Sequence, residues 1–315
     1  MSPWRRVGLV CAWALSVLCG LWAVLRLSGL EPPWPLSALL AFTPWVVVPA
    51  LVAVGLAVML RARWAVAVAA AAALVLAGVT APRALGSADR RDGVELRVMT
   101  VNLRVGGADA ATIVRLVRDN RIDLLAVQEY TPRGERQPPR GRARRPAAVP
   151  AGRRRAARGG VRALRLGTPA EGRLLRGAGG FVEATATLRL GGAAPIVVRS
   201  VHPCAPYTLA HQGCWRSGLD REPRAATGGA PRLLLGDFNA TLDHPALRRL
   251  IGSGYRDAAD AVGAGLRPTW PADAVPLVTL DHVLVDSRIG VRSVTVHAVP
   301  DTDHRAVVAV LAIPG

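Results

Sequence analysis

Lysine is absent from this chain. All 40 basic residues are arginine, against 22 acidic ones, so the formal net charge is +18. Beside abundant Ala, Arg, Gly and Pro, that absence suggests GC-rich coding. Acidic residues are nearly missing from the N-terminal quarter, where Glu31 stands alone before Asp89. Cysteine is scarce, and no cluster of three Cys or three His is present to make a zinc site. Apolar residues make up 51%, which excludes a largely disordered chain. They are unevenly spread. Three long N-terminal runs exclude a wholly soluble protein. The roughly 220 residues that follow, enough for one domain with a sizeable core, exclude a purely membranous one.

The apolar runs cover about 7–25, 36–60 and 64–81. Each approaches or exceeds the ~20 helical residues that cross a hydrocarbon layer of about 30 Å. The first run could be a cleaved signal peptide, but two more runs follow, and Arg26 stands where small residues should precede a cleavage site. Arg5 and Arg6 lie before the first run and Arg61 and Arg63 between the second and third, whereas the 28–35 loop has no Arg. The positive-inside rule then makes both Arg-bearing ends cytoplasmic and sends the third span outward. The reading is a multi-pass cell-membrane protein with an anchor (1–85), a polar linker (86–93) and an extracellular domain (94–315). Cys204 and Cys214 could close a disulfide loop there or be two buried thiols; an oxidising exterior favours the disulfide.

The large domain alternates strand and helix patterns. Val94, Leu96 and Val98 alternate with polar residues in a strand ending at Asn102. Asp109 caps a helix with Ala110, Ile113, Val114 and Val117 on one face. The run 122–127 is a buried strand delivering Gln128 and Glu129. Segments 181–190 and 196–201 form a hairpin through Gly191-Gly192, the second strand ending at His202. Another strand, 233–235, ends in Gly236-Asp237-Phe238-Asn239. The strand 280–285 carries Asp281, and Asp303-His304 precede the last strand, 306–313. Polar residues at strand ends converge over one sheet edge, where sites are commonly built. Carboxylates with amides and imidazoles suit a hard, oxygen-preferring cation such as Mg²⁺. With a metal and a His, the fitting reaction is hydrolysis at phosphorus.

Thr100-Val101-Asn102-Leu103, Val127-Gln128-Glu129, Ser200-Val201-His202, Gly236-Asp237-Phe238-Asn239, Leu280-Asp281-His282-Val283 and Thr302-Asp303-His304-Arg305 occur in this order. Together they resemble the endonuclease/exonuclease/phosphatase superfamily, which includes pancreatic-type deoxyribonuclease, abasic endonucleases, sphingomyelinases and inositol polyphosphate phosphatases. The resemblance implies an α/β fold, a two-sheet β-sandwich flanked by helices, here after three transmembrane helices. It implies Mg²⁺, with Mn²⁺ as the alternative, at Glu129, Asn102 and Asp303. Asp237 would activate the attacking water, Asn239 would hold a phosphate oxygen, and His202 and His304 would donate to the phosphoryl group. Asp281 would orient His304. Three spans with an outward domain look like a membrane-anchored actinobacterial branch, some of it linked to glycopeptide resistance and lipid-pyrophosphate hydrolysis. The expected partner is thus a phosphorylated substrate at a membrane, such as a lipid pyrophosphate. A surface nuclease and an inactive polyanion-binding membrane protein are the alternatives.

Other residues carry weaker expectations. His211, His244, His282 and His297 read as surface, packing or capping residues. Asp243 reads as a helix N-cap ahead of Pro245. Trp270 reads as either a substrate edge or a packing residue. The stretch 133–176 holds fourteen Arg and two Glu. It could be a polyanion-binding arm, a disordered insertion, or a segment read out of frame between about 132 and 171. It occupies the place where the fold needs a helix and two strands, and frame-shifted GC-rich codons yield this composition, which favours the last reading. The expectation is then a sheet lacking core strands.

Overall fold

The computed structural model describes residues 2–131, 158–163, 171–176, 182–225 and 228–315. The N-terminal part is a bundle of α1 (Pro3–Ser28), a short α2 (Leu36–Leu39) leading through a 3-10 turn at Leu40–Phe42 into α3 (Thr43–Met59), and α4 (Arg63–Thr80). Three helices, Pro3–Ser28, Leu36–Met59 and Arg63–Ala84, are long and apolar enough to cross a membrane. Small residues let them approach: Ala12, Ala50, Ala53, Ala57, Ala65 and Ala69 are all fully buried.

Among the described residues the large domain has eleven strands: β1 (Val94–Asn102), β2 (Leu124–Tyr130), β3 (Arg158–Ala163), β4 (Glu171–Arg176), β5 (Val182–Leu188), β6 (Ile196–Val201), β7 (Arg232–Asp237), β8 (Tyr255–Asp257), β9 (Asp281–Asp286), β10 (Gly290–His297) and β11 (Ala306–Ile313). Helices α5 (Ala110–Asp119), α6 (Leu209–Asp220), α7 (Pro245–Ile251) and α8 (Ala258–Ala261) lie between them. The order β10-β11-β1-β2-β3 continues into β5-β6-β7-β9-β8 through a single β3–β5 pair, Arg158 with Val182. The two halves fold face to face as two mixed sheets. Their core joins Leu96, Val98 and Leu124 of one half to Ile196, Leu233 and Val283 of the other. On the outer face of β1, Met99 and Val101 pack with Ile122 and the α5 residues Ile113, Leu116 and Val117. That double burial explains why β1 stops alternating after Val98. Val114, placed on this face by sequence, is instead exposed.

One further expectation is corrected. The Arg-rich stretch does not leave the sheet short of strands. β3 pairs antiparallel with β2, and β4 pairs antiparallel with β5. The rest of that stretch, 133–157 and 164–170, lies outside the described residues. The linker 86–93 is largely exposed but is tied to β10 at Asp89. Asp89 accepts from Arg256 and from the Val291 amide, and its own amide donates to the Val291 carbonyl. A Cβ on Gly86 would meet the Ala261 carbonyl oxygen at 2.4 Å, so only glycine allows the linker to pass there.

Candidate active site

Strand ends deliver the polar residues to one place. β1 ends at Asn102, whose Nδ2 donates to Glu129 Oε1 (3.1 Å) and to Asp237 Oδ2 (3.0 Å), while its Oδ1 accepts from the Arg104 amide. Glu129 has φ of 55° where the β2–β3 register shifts between Val127 and Tyr130. Such a bulge re-aims a side chain, here turning the Glu129 carboxylate inward. Its Oε2 accepts from the Val105 amide. β7 ends in Gly236-Asp237. A Cβ at Gly236 (φ 154°) would stand 2.1 Å from the Val201 carbonyl oxygen, so β6 and β7 converge there only because position 236 is glycine. Asp237 Oδ1 accepts from the Asn239 amide, and Asn239 Nδ2 donates to the Pro203 carbonyl.

His202, at the end of β6, brings Nε2 within 3.6 Å of Glu129 Oε1 and 3.7 Å of Asp237 Oδ2. His304 Nε2 is 3.6 Å from the same Asp237 oxygen, and its Nδ1 donates to Asp281 Oδ2 at 2.9 Å. Burial opposes protonation of His304, but the Asp281 and Asp237 carboxylates outweigh it and push the imidazole up to about 10. Asp303 lines the same cavity, its carboxylate 3.7 Å from the Arg104 guanidinium. All eight residues expected from sequence therefore gather here. Six of them (Glu129, His202, Asp237, Asn239, Asp303 and His304) line a cavity of about 970 Å³, with Asn102 and Asp281 buried behind them.

The cation question turns on the donor set. Asp237, Asp281 and His304 offer ligand atoms within 4.8 Å of one another, a possible metal-binding triad. Asp281 and His304 are, however, already bonded to each other, as a carboxylate orienting an imidazole would be. Glu129, Asp237 and Asp303 instead turn carboxylates toward the cavity, with the Asn102 amide wedged between two of them. Hard oxygen donors around concentrated negative charge fit a divalent cation of the Mg²⁺ or Mn²⁺ type.

Several supporting residues were not visible in the sequence pattern. Glu183 accepts from the His202 amide and from Arg199, which also lies 3.0 Å from Glu222. Burial, reinforced by Glu183, pushes the Glu222 carboxyl up to about 8. Thr100, Gln128 and Ser200 form a hydrogen-bonded file linking β1, β2 and β6 under the site. His282, expected to be a surface, packing or capping residue, bonds Asp257 and the Ala240 carbonyl, fixing the loop after Asp237.

The cavity has a second, apolar wall. Cys204 and Cys214 are joined in a disulfide, and Cys204, Tyr207, Trp270, Val278 and Leu280 line it. Trp270 is thus a cavity residue, and His211 lines the cavity too. Ala38, Ala41 and Phe42, from the N-terminal bundle, complete the wall. The bundle is held there by polar contacts. Asp243 does not cap α7; the N-cap is His244, with no side-chain cap bond. Asp243 instead accepts from Arg26 Nε (2.6 Å) and from both terminal nitrogens of Arg83 (2.8 and 2.6 Å). His244 Nδ1 accepts from the Thr241 amide, so Nε2 donates to the Ser37 carbonyl. Glu31 accepts from the Ala246 amide, and Gln212 bonds Pro32 and Trp34.

A two-sheet α/β sandwich with carboxylates, amides and two imidazoles at its strand ends defines a phosphoryl-handling class of hydrolase folds. Residues 99–304 match the Endonuclease/Exonuclease/phosphatase family, and the chain belongs to that family. Among solved structures it is similar to an endonuclease/exonuclease/phosphatase from Beutenbergia cavernae, with 17% identity, a TM-score of 0.50, and coverage of 70% of this chain and 72% of that one. It is also similar to TDP2 from C. elegans, with 17% identity, a TM-score of 0.52, and coverage of 78% and 81%. These likenesses show the fold. No curated protein sequence matches the chain.

Proposed function

We propose that the protein is a membrane-anchored, Mg²⁺-dependent phosphohydrolase whose catalytic domain faces the cell exterior and cleaves a phosphate ester or a lipid pyrophosphate. One observation carries the reading. The cavity that holds the carboxylate–imidazole cluster has an apolar wall that the bundle residues Ala38, Ala41 and Phe42 complete. A polar reaction centre facing an apolar wall suits a phosphorylated lipid better than a strand of nucleic acid. Orientation rests on charge. A Cβ at Gly8 would touch Leu60, so the start of α1 lies beside the end of α3. Arg5, Arg6, Arg61 and Arg63 therefore share the end of the bundle remote from the large domain. Arg26 and Arg83, at the near end, are buried on Asp243, which removes their weight against this orientation.

In this reading Glu129, Asn102 and Asp303 would hold the cation, which would supply neutralisation of phosphoryl charge. Asp237 takes the proton of the attacking water and is kept in place by Asn102 and the Asn239 amide. Asn239 holds a phosphoryl oxygen. His202 and His304 donate to oxygens on which charge grows, and Asp281 keeps His304 charged and aimed. A nuclease is the second reading, resting on the Arg content of 133–176.

The test is phosphate release by the full-length protein from undecaprenyl pyrophosphate, compared with DNA hydrolysis, with and without Mg²⁺, beside Glu129→Gln. Mg²⁺-dependent release from the lipid that the variant loses is expected. Hydrolysis of DNA alone would overturn the lipid reading.

A further inference from the structure

A second cavity, of about 390 Å³, adjoins the first where the bundle meets the large domain. Pro44, Trp45 and Val48 of α3 form one side and Leu266, Pro276 and Leu277 another, while the paired Arg83 and Asp243, with Thr80, Thr241 and Thr279, also line it. Ala41 and Val278 line both cavities, so one methyl group and one valine side chain stand at the joint between them.

Position and chemistry together specify an occupant. Trp34 and Trp45 sit partly exposed at this end of the bundle, as Trp4 and Trp64 do at the other. Tryptophan concentrates at both edges of a bilayer because its ring is amphipathic, so Trp45 marks the interface level. Trp45 Nε1 donates to the Leu277 carbonyl at 2.8 Å, which seats the 265–279 segment on α3 at that level. Val48, 60% exposed, lies about one helical turn deeper on α3 and lines the cavity there. The second cavity thus reaches from hydrocarbon depth to the edge of the catalytic one.

We propose that this cavity is the tail site of the enzyme. It takes the first units of the apolar chain of a single-chain lipid phosphate or pyrophosphate, of the polyprenyl type, whose head group lies at Asp237 and His304. The remainder of the chain passes Val48 into the bilayer. The inference rests on the phosphohydrolase reading and adds that the bundle selects the substrate. Ala41 and Val278 act as specificity-determining residues because the chain must pass them.

The experiment uses full-length protein in nanodiscs with Mg²⁺. Substrates are isopentenyl, geranyl and farnesyl pyrophosphate, with one, two and three isoprene units. Each buried methylene contributes about 0.8 kcal/mol, so two of them change a binding constant about tenfold. The farnesyl-to-isopentenyl ratio of kcat/KM should exceed about tenfold for the wild type and should fall by at least about tenfold in Ala41→Leu, which fills the joint. Leu266→Gln, at a half-exposed rim position that folding tolerates, should lower the ratio in the same direction. A ratio unchanged in both variants, or absent in the wild type, overturns the tail site and leaves the phosphohydrolase intact. A second arm needs no turnover: a diazirine-bearing polyprenyl phosphate is photo-crosslinked and the labelled peptides are mapped. Labels on α3 and 265–279 support the site even if phosphate release fails, which would sink only the proposed reaction. Labels confined to other faces of the bundle overturn it.

Discussion

Replacing Asp243 with Asn tests whether the bundle and the large domain are one folding unit. The Asp243 side chain is 0% exposed and those of Arg26 and Arg83 are 7% exposed, so bulk water screens none of them. Burial pushes the Asp243 carboxyl up, but Arg83 and Arg26 outweigh it and hold it below the ordinary carboxylate range. Asn keeps the shape and removes the charge, leaving two guanidiniums buried against a neutral amide. Breaking a buried pair in this way costs about 3–5 kcal/mol. For a protein of this size about 1 kcal/mol shifts Tm by roughly 2–4 °C, so a fall on the order of 10 °C is expected. The assay is thermal unfolding in detergent micelles, with limited proteolysis at 86–93 reporting release of the linker. Salt should change the difference little, because the charges are out of solvent. The triple variant Arg26→Met, Arg83→Met, Asp243→Leu should recover most of the loss, since apolar groups replace buried ion pairs at little cost. A melting point for Asp243→Asn within roughly 2–4 °C of the wild type, about 1 kcal/mol, would refute the argument.

Glu129→Gln should lower turnover at least about 100-fold and weaken the Mg²⁺ dependence, while leaving Tm nearly unchanged; a Mg²⁺ titration of phosphate release checks both. Asp281→Asn removes the carboxylate that does most to raise His304. The imidazolium is then lost at lower pH, and the alkaline limb of the pH–rate profile should move down, with kcat reduced more than KM rises. Burial pushes His244 down to about 4, so its folded value is depressed below an ordinary 6.5. A depressed base contributes stability that is present above about 6.5 and lost as pH falls through 4. Roughly 3 kcal/mol should disappear across that window, seen as a declining Tm that His244→Gln largely abolishes.

The polar half of the site was legible in the sequence because each residue lies at or beside one end of a strand and brings neighbours of a recognisable type. Local periodicity also located β1, β2, β5, β6, β7, β9 and β11, with β5 and β6 paired antiparallel as the hairpin requires. It failed where tertiary structure sets the pattern. β10 has its register broken between Val291 and Ser293, so alternation is lost in mid-strand. α6 contains Gly213 and Gly218, poor helix formers, and is held by its Thr208 cap and by Trp215 buried in the core. The role of Asp243 could not be read locally, because its partners lie 217 and 160 positions away. As a short polar residue before His-Pro it looks like a cap, and only the assembled fold shows it neutralising two arginines.

That long-range pairing changes what the N-terminal helices are for. A tether would need only a flexible stem, yet here the stem is tied to β10 at Asp89, the loop at Glu31–Trp34 is bonded to α6 and α7, and Ser37 is bonded to His244. His244 lies five residues beyond Asn239, in the loop that Thr241 and His282 also brace. Displacing the bundle would therefore remove one wall of the cavity and loosen the segment that follows Asp237. The geometry at Asp237 depends on helices near the opposite end of the chain. This dependence gives a physical reason for the arginines at 26 and 83 to be buried rather than left at the surface, where they would bind either domain to nothing.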